Sequence, residues 1–289
     1  LVGFVAVLGL SSCGKFEKFR KSADLPTKYK AAVTYYKKKD FSKAGILFDE
    51  IMPLMKGDST QELATFYQAY CDFNLGSYTL SSSHFKKFAE VFSRSEFAEE
   101  AIYMSAFSLY KDSPNFNLDQ TGTLAAINEI QSYLNNYPET KFKDDCTNII
   151  KELRKKLEKK AFEKAKLYYK TSPFNIASLK SSVIEITNFQ RDFPDSDYSE
   201  EMAYMKVLAQ FDLSKSTIES KQKERYSEAS KFYLELIDKY PQSTYLKEGE
   251  KMYELSNKEV DRIAKLEAEY KTMLEKEKST TSKVATGPQ

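Results

Sequence analysis

The stretch Tyr137-Pro138-Glu139-Thr140-Lys141-Phe142 sets the reading of this chain, because it recurs. An aromatic, a proline, any residue, a Ser or Thr, any residue and a second aromatic follow one another again as Phe193-Pro194-Asp195-Ser196-Asp197-Tyr198 and as Tyr240-Pro241-Gln242-Ser243-Thr244-Tyr245. Phe92-Ser93-Arg94-Ser95-Glu96-Phe97 is a weaker copy without the proline. A proline cannot continue the helix before it, and a Ser or Thr side chain can cap the first free N–H groups of the next. Each copy therefore reads as a helix stop followed at once by a helix start.

Upstream of the prolines a second pattern agrees with the first. Small residues at Ala126, Ser182 and Ala229 are followed at +4 by Ile130, Ile186 and Tyr233, and at +7 by Tyr133, Phe189 and Leu236. Ala44, Phe48, Ile51 and Ser81, Phe85, Phe88 repeat the spacing. A small residue with large ones at +4 and +7 makes one helix face that packs closely on a neighbour. Ala44, Ser81, Ala126, Ser182 and Ala229, with Pro138, Pro194 and Pro241, are thus the expected repeat-packing positions. An ordinary helical bundle with recurrent caps is the plainer alternative. Five copies in register favour an all-α superhelical solenoid of about five tetratricopeptide-like helix pairs, closed by a long C-terminal capping helix.

Composition fits this. Gly and Pro are scarce, at 9 and 8 in 289 residues, which suits helices better than a β-sandwich. Lys+Arg 44 against Asp+Glu 42 is too near balance to argue for nucleic acid. The 20 Tyr and 20 Phe read mainly as packing pieces between helices. Cys13, Cys71 and Cys146 lack metal-ligand spacing. Buried free thiols are expected at Cys71 and Cys146, with a disulfide between them left open.

Leu1 to Leu10 is an uninterrupted apolar run, about half a bilayer span and the length of a secretory-signal core. It ends in Leu10-Ser11-Ser12-Cys13-Gly14, which resembles a bacterial lipobox. The resemblance implies cleavage before Cys13, a diacylglycerol thioether on its sulfur and an acyl chain on its new amine. Several chains, at about 0.8 kcal/mol per buried CH₂, make a stable anchor where one does not. Neither Met nor a basic segment precedes the run, so the sequence is expected to start within its precursor. The expected order is a signal peptide over 1–12, a lipid-anchored polar tether over 13–24, N-terminal repeats over 25–138, C-terminal repeats with the capping helix over 139–277, and a disordered tail over 278–289.

Within the repeats, residues 142–170 read as one helix of about 29 residues joining two halves. Asp112 to Asp119 is a polar insertion, and Ser214 to Lys223 reads as a polar break before a helix from Glu224 to Tyr240. The dense charge from Arg154 to Lys160 reads as a solvated helix face. The lone His84 is expected to face solvent and excludes a His-based metal site or triad. There is no phosphate loop and no dinucleotide fingerprint. Acidic pairs at Glu99-Glu100, Asp144-Asp145 and Glu200-Glu201 sit at helix starts, where they complement the helix dipole. The chain reads as a binding scaffold rather than an enzyme, with no cofactor beyond covalent lipid on Cys13.

Lipobox, five helix pairs and the repeated junction together resemble the BamD family, lipoproteins of the outer-membrane β-barrel assembly machinery. The more specific local piece is the helix end Ala165-Lys166-Leu167-Tyr168-Tyr169-Lys170, a short turn, and a helix closing in Arg191-Asp192-Phe193-Pro194-Asp195-Ser196. The resemblance makes Tyr168, Tyr169, Lys170 and Arg191 candidate partner contacts. It implies a lipid-anchored protein on the periplasmic face of the outer membrane. Its expected partners are the integral barrel assembly protein with periplasmic domains, and unfolded outer-membrane protein peptides held as extended strands in a groove. The N-terminal repeats would face substrate and the C-terminal repeats the other subunits. Two alternatives share the anchor and the repeats: a scaffold in envelope maintenance or cell-wall coordination, and a glycan-capture lipoprotein. The latter usually needs Trp platforms, and this chain has no Trp.

Overall fold

A computed structural model describes residues 14–285. Among these residues the regular elements are all helical. A short α1 (residues 14–20) precedes α2 (Leu25–Lys37), α3 (Phe41–Ile51), α4 (Gln61–Asn74), α5 (Tyr78–Val91), α6 (Ala98–Asp112) and α7 (Thr121–Asn136). Then come α8 (Lys143–Thr171), α9 (Ala177–Asp192), α10 (Ser199–Ser216), α11 (Glu219–Lys239) and α12 (Leu246–Ala285). Successive helices pack as hairpins, α2 on α3, α4 on α5, α6 on α7 and α10 on α11, while α11 also packs on α12. This is the tetratricopeptide-like pairing expected from the junctions. The signal peptide and Leu10, Ser11, Ser12 and Cys13 of the lipobox lie outside the described residues.

The chain forms two compact units that divide inside α8, between Leu157 and Glu158. The sequence reading drew its boundary at Pro138, before α8. The first half of α8 instead joins the N-terminal unit, because Cys146, Ile149 and Leu153 enter a core with Ala126, Ile130 and Tyr133 of α7. A second core in this unit gathers Ala44, Leu47, Phe48 and Ile51 of α3 around Ala31, Ala32, Ala64 and Cys71. In the C-terminal unit Phe162 and Ala165 of α8 pack with Ile186 and Phe189 of α9 and Met202 and Met205 of α10. Cys71 and Cys146 are free and buried in separate cores.

Ala44, Ser81, Ala126, Ser182 and Ala229 are all fully buried. At two of them the small side chain also makes a polar link: Ser81 Oγ donates to the Ala69 carbonyl at 3.0 Å, and Ser182 Oγ to that of Ala165 at 3.2 Å. A larger residue would push these helix axes apart. Pro138, Pro194 and Pro241 are exposed. They lie just past the ends of the preceding helices, at the surface.

The junction Ser or Thr acts differently from a helix cap. Each sits before the cap position, and its Oγ accepts the N–H two residues on: Ser95 from Phe97 at 3.0 Å, Thr140 from Phe142 at 3.3 Å, Ser196 from Tyr198 at 3.3 Å, Ser243 from Tyr245 at 3.2 Å. The hydroxyl thereby closes a side-chain turn instead of the helix itself, which is why Phe97 and Tyr198 stand at the cap positions with no side-chain cap bond. In three junctions the same hydroxyl donates to a glutamate of the preceding pair: Ser95 to Glu62 at 2.5 Å, Thr140 to Glu99 at 2.7 Å, Ser196 to Glu158 at 3.0 Å.

The closing aromatic of each junction stacks on a ring in the first helix of the preceding pair. Phe97 lies 4.8 Å from Phe66, Phe142 3.9 Å from Tyr103, Tyr198 4.2 Å from Phe162, and Tyr245 4.7 Å from Tyr204. Such pairs contribute about 0.5–1.5 kcal/mol beyond their burial. The junction motif is therefore a repeat-to-repeat clasp built from one hydroxyl and one ring.

Three boundaries differ from the sequence reading. The tether does not begin as loose chain: Phe16 and Phe19, three apart, give α1 an apolar face, and Phe16 is buried edge-on against Tyr35 at 5.7 Å. The polar break over 214–223 shrinks to Thr217 and Ile218. Ser214 there is fully buried and satisfies its hydroxyl on the Gln210 carbonyl of its own helix, so polarity does not end α10. The last helix runs to Ala285 rather than stopping at residue 277. Gly and Pro do not occur in this stretch before Gly287-Pro288, and low hydrophobicity alone does not terminate a helix.

Candidate partner-binding surfaces

The N-terminal unit holds a cleft of about 270 Å³ between the end of α3, α4 and α5. Met52, Pro53, Val91 and Phe92 form its apolar walls, and Thr65, Gln68, His84 and Lys87 its polar lining, with Lys56 at the edge. The walls arise where α3 tightens into a 3-10 turn at Met52–Leu54, forced by Pro53. The ammonium groups of Lys56 and Lys87 are exposed and have no ion-pair partner among the described residues.

Under the cleft lies a polar network that the sequence did not announce. His84 does not simply face solvent, as expected. Its Nδ1 lies 2.8 Å from Asp72 Oδ2, which is buried on α4. Gln68 Nε2 donates to Asp49 Oδ1 at 2.9 Å. Burial, and then the nearby Asp72 charge, hold the Asp49 carboxyl above the usual carboxylate range, while His84 works against that. Gln68 Oε1 is buried without a hydrogen-bond partner among the described residues, a cost of about 1–3 kcal/mol. Only structure could show this cluster, because Asp49, Gln68, Asp72 and His84 come from three helices with no motif spacing.

A tyrosine–carboxylate ladder crosses the first helices of successive pairs. Tyr70 donates to Glu100 at 2.5 Å, Tyr103 to Asp145, Tyr110 to Glu152 at 2.6 Å, Tyr169 to Asp212 at 3.0 Å, and Tyr204 to Glu248 at 2.6 Å. From sequence alone the acidic residues at helix starts are partners of the helix dipole. Here Glu100 and Asp145 also receive hydroxyl hydrogens from the preceding repeat, and Glu99 receives one from Tyr133 of its own helix pair. Burial is the main cause that drives the Tyr70, Tyr103, Tyr169 and Tyr204 hydroxyls well above the ordinary tyrosine range, and the accepting carboxylate adds to it.

The four residues singled out at the α8–α9 junction have different surroundings. Tyr169 belongs to the ladder and is half-buried, so its hydroxyl is occupied. Tyr168 is half-buried and Lys170 is exposed. Arg191 is exposed, and its Nε donates to its neighbour Asp192 at 2.8 Å. Tyr168 and Lys170 thus remain available to a partner, whereas Tyr169 is committed within the fold. Gly14 of the lipobox is exposed at the start of α1.

Among the described residues no cluster of His, Cys, Asp or Glu is arranged to hold a metal ion, and no helix is long and apolar enough to cross a membrane. In comparisons with known proteins, the family model YfiO, described as an outer membrane lipoprotein, matches residues 22–180 and 172–279. No curated protein matches the chain.

Proposed function

The chain belongs to the YfiO family of outer membrane lipoproteins, and from this premise we propose that it is a scaffold of the outer-membrane β-barrel assembly machinery. In this reading Cys13 carries the lipid, and the helical repeats face the periplasm. They hold the periplasmic domains of the integral barrel protein and receive unfolded barrel segments. The observation that carries the reading is the family match across both units, 22–180 and 172–279. The lipobox ahead of Gly14 and the repeat clasps support it. We assign it no catalytic step.

The cleft of the N-terminal unit is the place we propose for unfolded substrate. An extended amphipathic strand would lay alternate apolar side chains on Met52, Pro53, Val91 and Phe92, and Lys56 and Lys87 would meet its carbonyl oxygens. In the C-terminal unit, Tyr168 and Lys170 are the proposed contacts to the machinery's own subunits. A photo-crosslinking residue at Thr65 tests the first assignment. Adducts with newly exported barrel proteins, absent when the residue is moved to the exposed Lys231, are the expected result. Equal adducts from both positions, or none from Thr65, overturn it.

A further inference from the structure

A second cleft, of about 430 Å³, lies between α1 and α2 and is lined by Lys15, Phe19, Thr27, Lys30, Ala31, Thr34, Tyr35 and Lys38. No acidic residue lines it. The three lysines are exposed and make no ion pair among the described residues. Nearby, Arg20 pairs with Glu17 and Glu50, Lys28 with Glu50, and Lys43 with Asp40. The cleft therefore gathers three lysines with no carboxylate in its lining.

The position of the cleft indicates what would fill it. α1 is fixed to the body through Phe16, and Lys15 stands two residues after Cys13, so their Cα atoms are within about 7 Å. A lipid on Cys13 would put the bilayer surface against the α1–α2 face. We infer that Lys15, Lys30 and Lys38 form a binding site for the phosphate headgroups of anionic phospholipid in the leaflet that holds the anchor. The inference rests on the lipidation in the proposed function. Phosphate oxygens would take the three ammonium groups, while Phe19 and the Ala31 and Tyr35 flank provide an apolar wall for the glycerol backbone. The headgroup contact would fix the rotation of the repeats above the membrane, which a flexible lipid tether alone leaves free.

The test uses the full chain as Cys13→Ser, so that no acyl chain contributes. Co-sedimentation is measured with vesicles of phosphatidylcholine alone and with phosphatidylglycerol added, at low and high salt. Binding to the anionic vesicles, weakened by salt, is expected. Lys15→Gln/Lys30→Gln/Lys38→Gln should lower the partition coefficient on the order of 100-fold, since each lysine near an anionic surface contributes about 1 kcal/mol. Lys251→Gln/Lys265→Gln/Lys271→Gln removes the same charge from α12 and should change it little. Equal losses from both triple variants would mean attraction by net charge alone and overturn the site, as would no binding by the parent. Loss of vesicle binding in millimolar inorganic phosphate at constant ionic strength would reassign the cleft to a free anion and overturn the lipid assignment. Fractionation of cells expressing Cys13→Ala separately reads the anchor: normal membrane association of that variant sinks the lipidation reading without touching the vesicle result.

Discussion

Replacing Thr140 with valine isolates the clasp that joins two repeats. Thr140 is 9% exposed, and its Oγ1 donates to Glu99 at 2.7 Å while accepting from the Phe142 N–H at 3.3 Å. Valine keeps the shape and deletes the hydroxyl. A hydrogen bond to a charged group contributes about 1.5–3 kcal/mol, and Glu99 retains a second donor in Tyr133 OH at 3.1 Å. The expected loss is therefore about 2 kcal/mol, which lowers Tm by about 4–8 °C for a unit of this size. Thermal unfolding followed by circular dichroism measures it. Thr140→Ser should recover most of the loss, and Thr140→Val should cost much less in a Glu99→Ala background, because the two residues share one interaction. A Tm within about 1 °C of the parent, or equal costs in both backgrounds, would refute the clasp.

Other perturbations probe separate parts of the fold. Ala229→Arg forces a long charged side chain into a fully buried helix contact and should cost more than about 3 kcal/mol, seen as a collapse of Tm or of soluble yield; an unchanged Tm would show the repeat register to be wrong. Lys39 ends α2 at φ 60, where Lys39 N–H bonds Tyr36 O and Asp40 N–H bonds Tyr35 O, so Lys39→Gly should raise stability by up to about 1 kcal/mol in urea unfolding. Burial pushes the Tyr36 hydroxyl up to about 12, and the Glu152 carboxylate that accepts its hydrogen pushes Tyr110 to about 12. A folded pKa raised above the ordinary value near 10 means that the unfolded tyrosine loses its proton first. The stability these groups contribute is full below pH 10 and falls between pH 10 and 12, so phenolate absorbance and helix loss should rise together there. Phenolate formation completed near pH 10 with the helices intact would contradict the ladder.

Most of the architecture was legible in sequence because each clue was local. The proline of the junction stops one helix, and the small residue twelve positions before it marks the buried face, so Ala126, Ser182 and Ala229 could be placed without coordinates. The long α8 was legible from its continuous apolar stripe. What sequence missed depends on contacts across repeats. Ser196 has the composition of a cap, but its Oγ closes a turn and reaches Glu158, 38 residues away. Ser214 reads as part of a polar loop until its hydroxyl is seen bonded within its own helix. His84 beside Phe85 gave no sign of Asp72, because one residue's offset on a helix separates a solvent face from a half-buried one. The cleft between the end of α3, α4 and α5 was not legible at all, since Met52, Gln68 and Val91 share no spacing.

The measurement that bears most directly on the central claim is a mild-detergent pull-down of the full-length lipoprotein from its own membranes, with partners identified and quantified by mass spectrometry. The account predicts recovery of a large integral β-barrel protein with tandem periplasmic domains, near equal stoichiometry. Recovery of cell-wall proteins alone, or of no reproducible barrel partner, would contradict it.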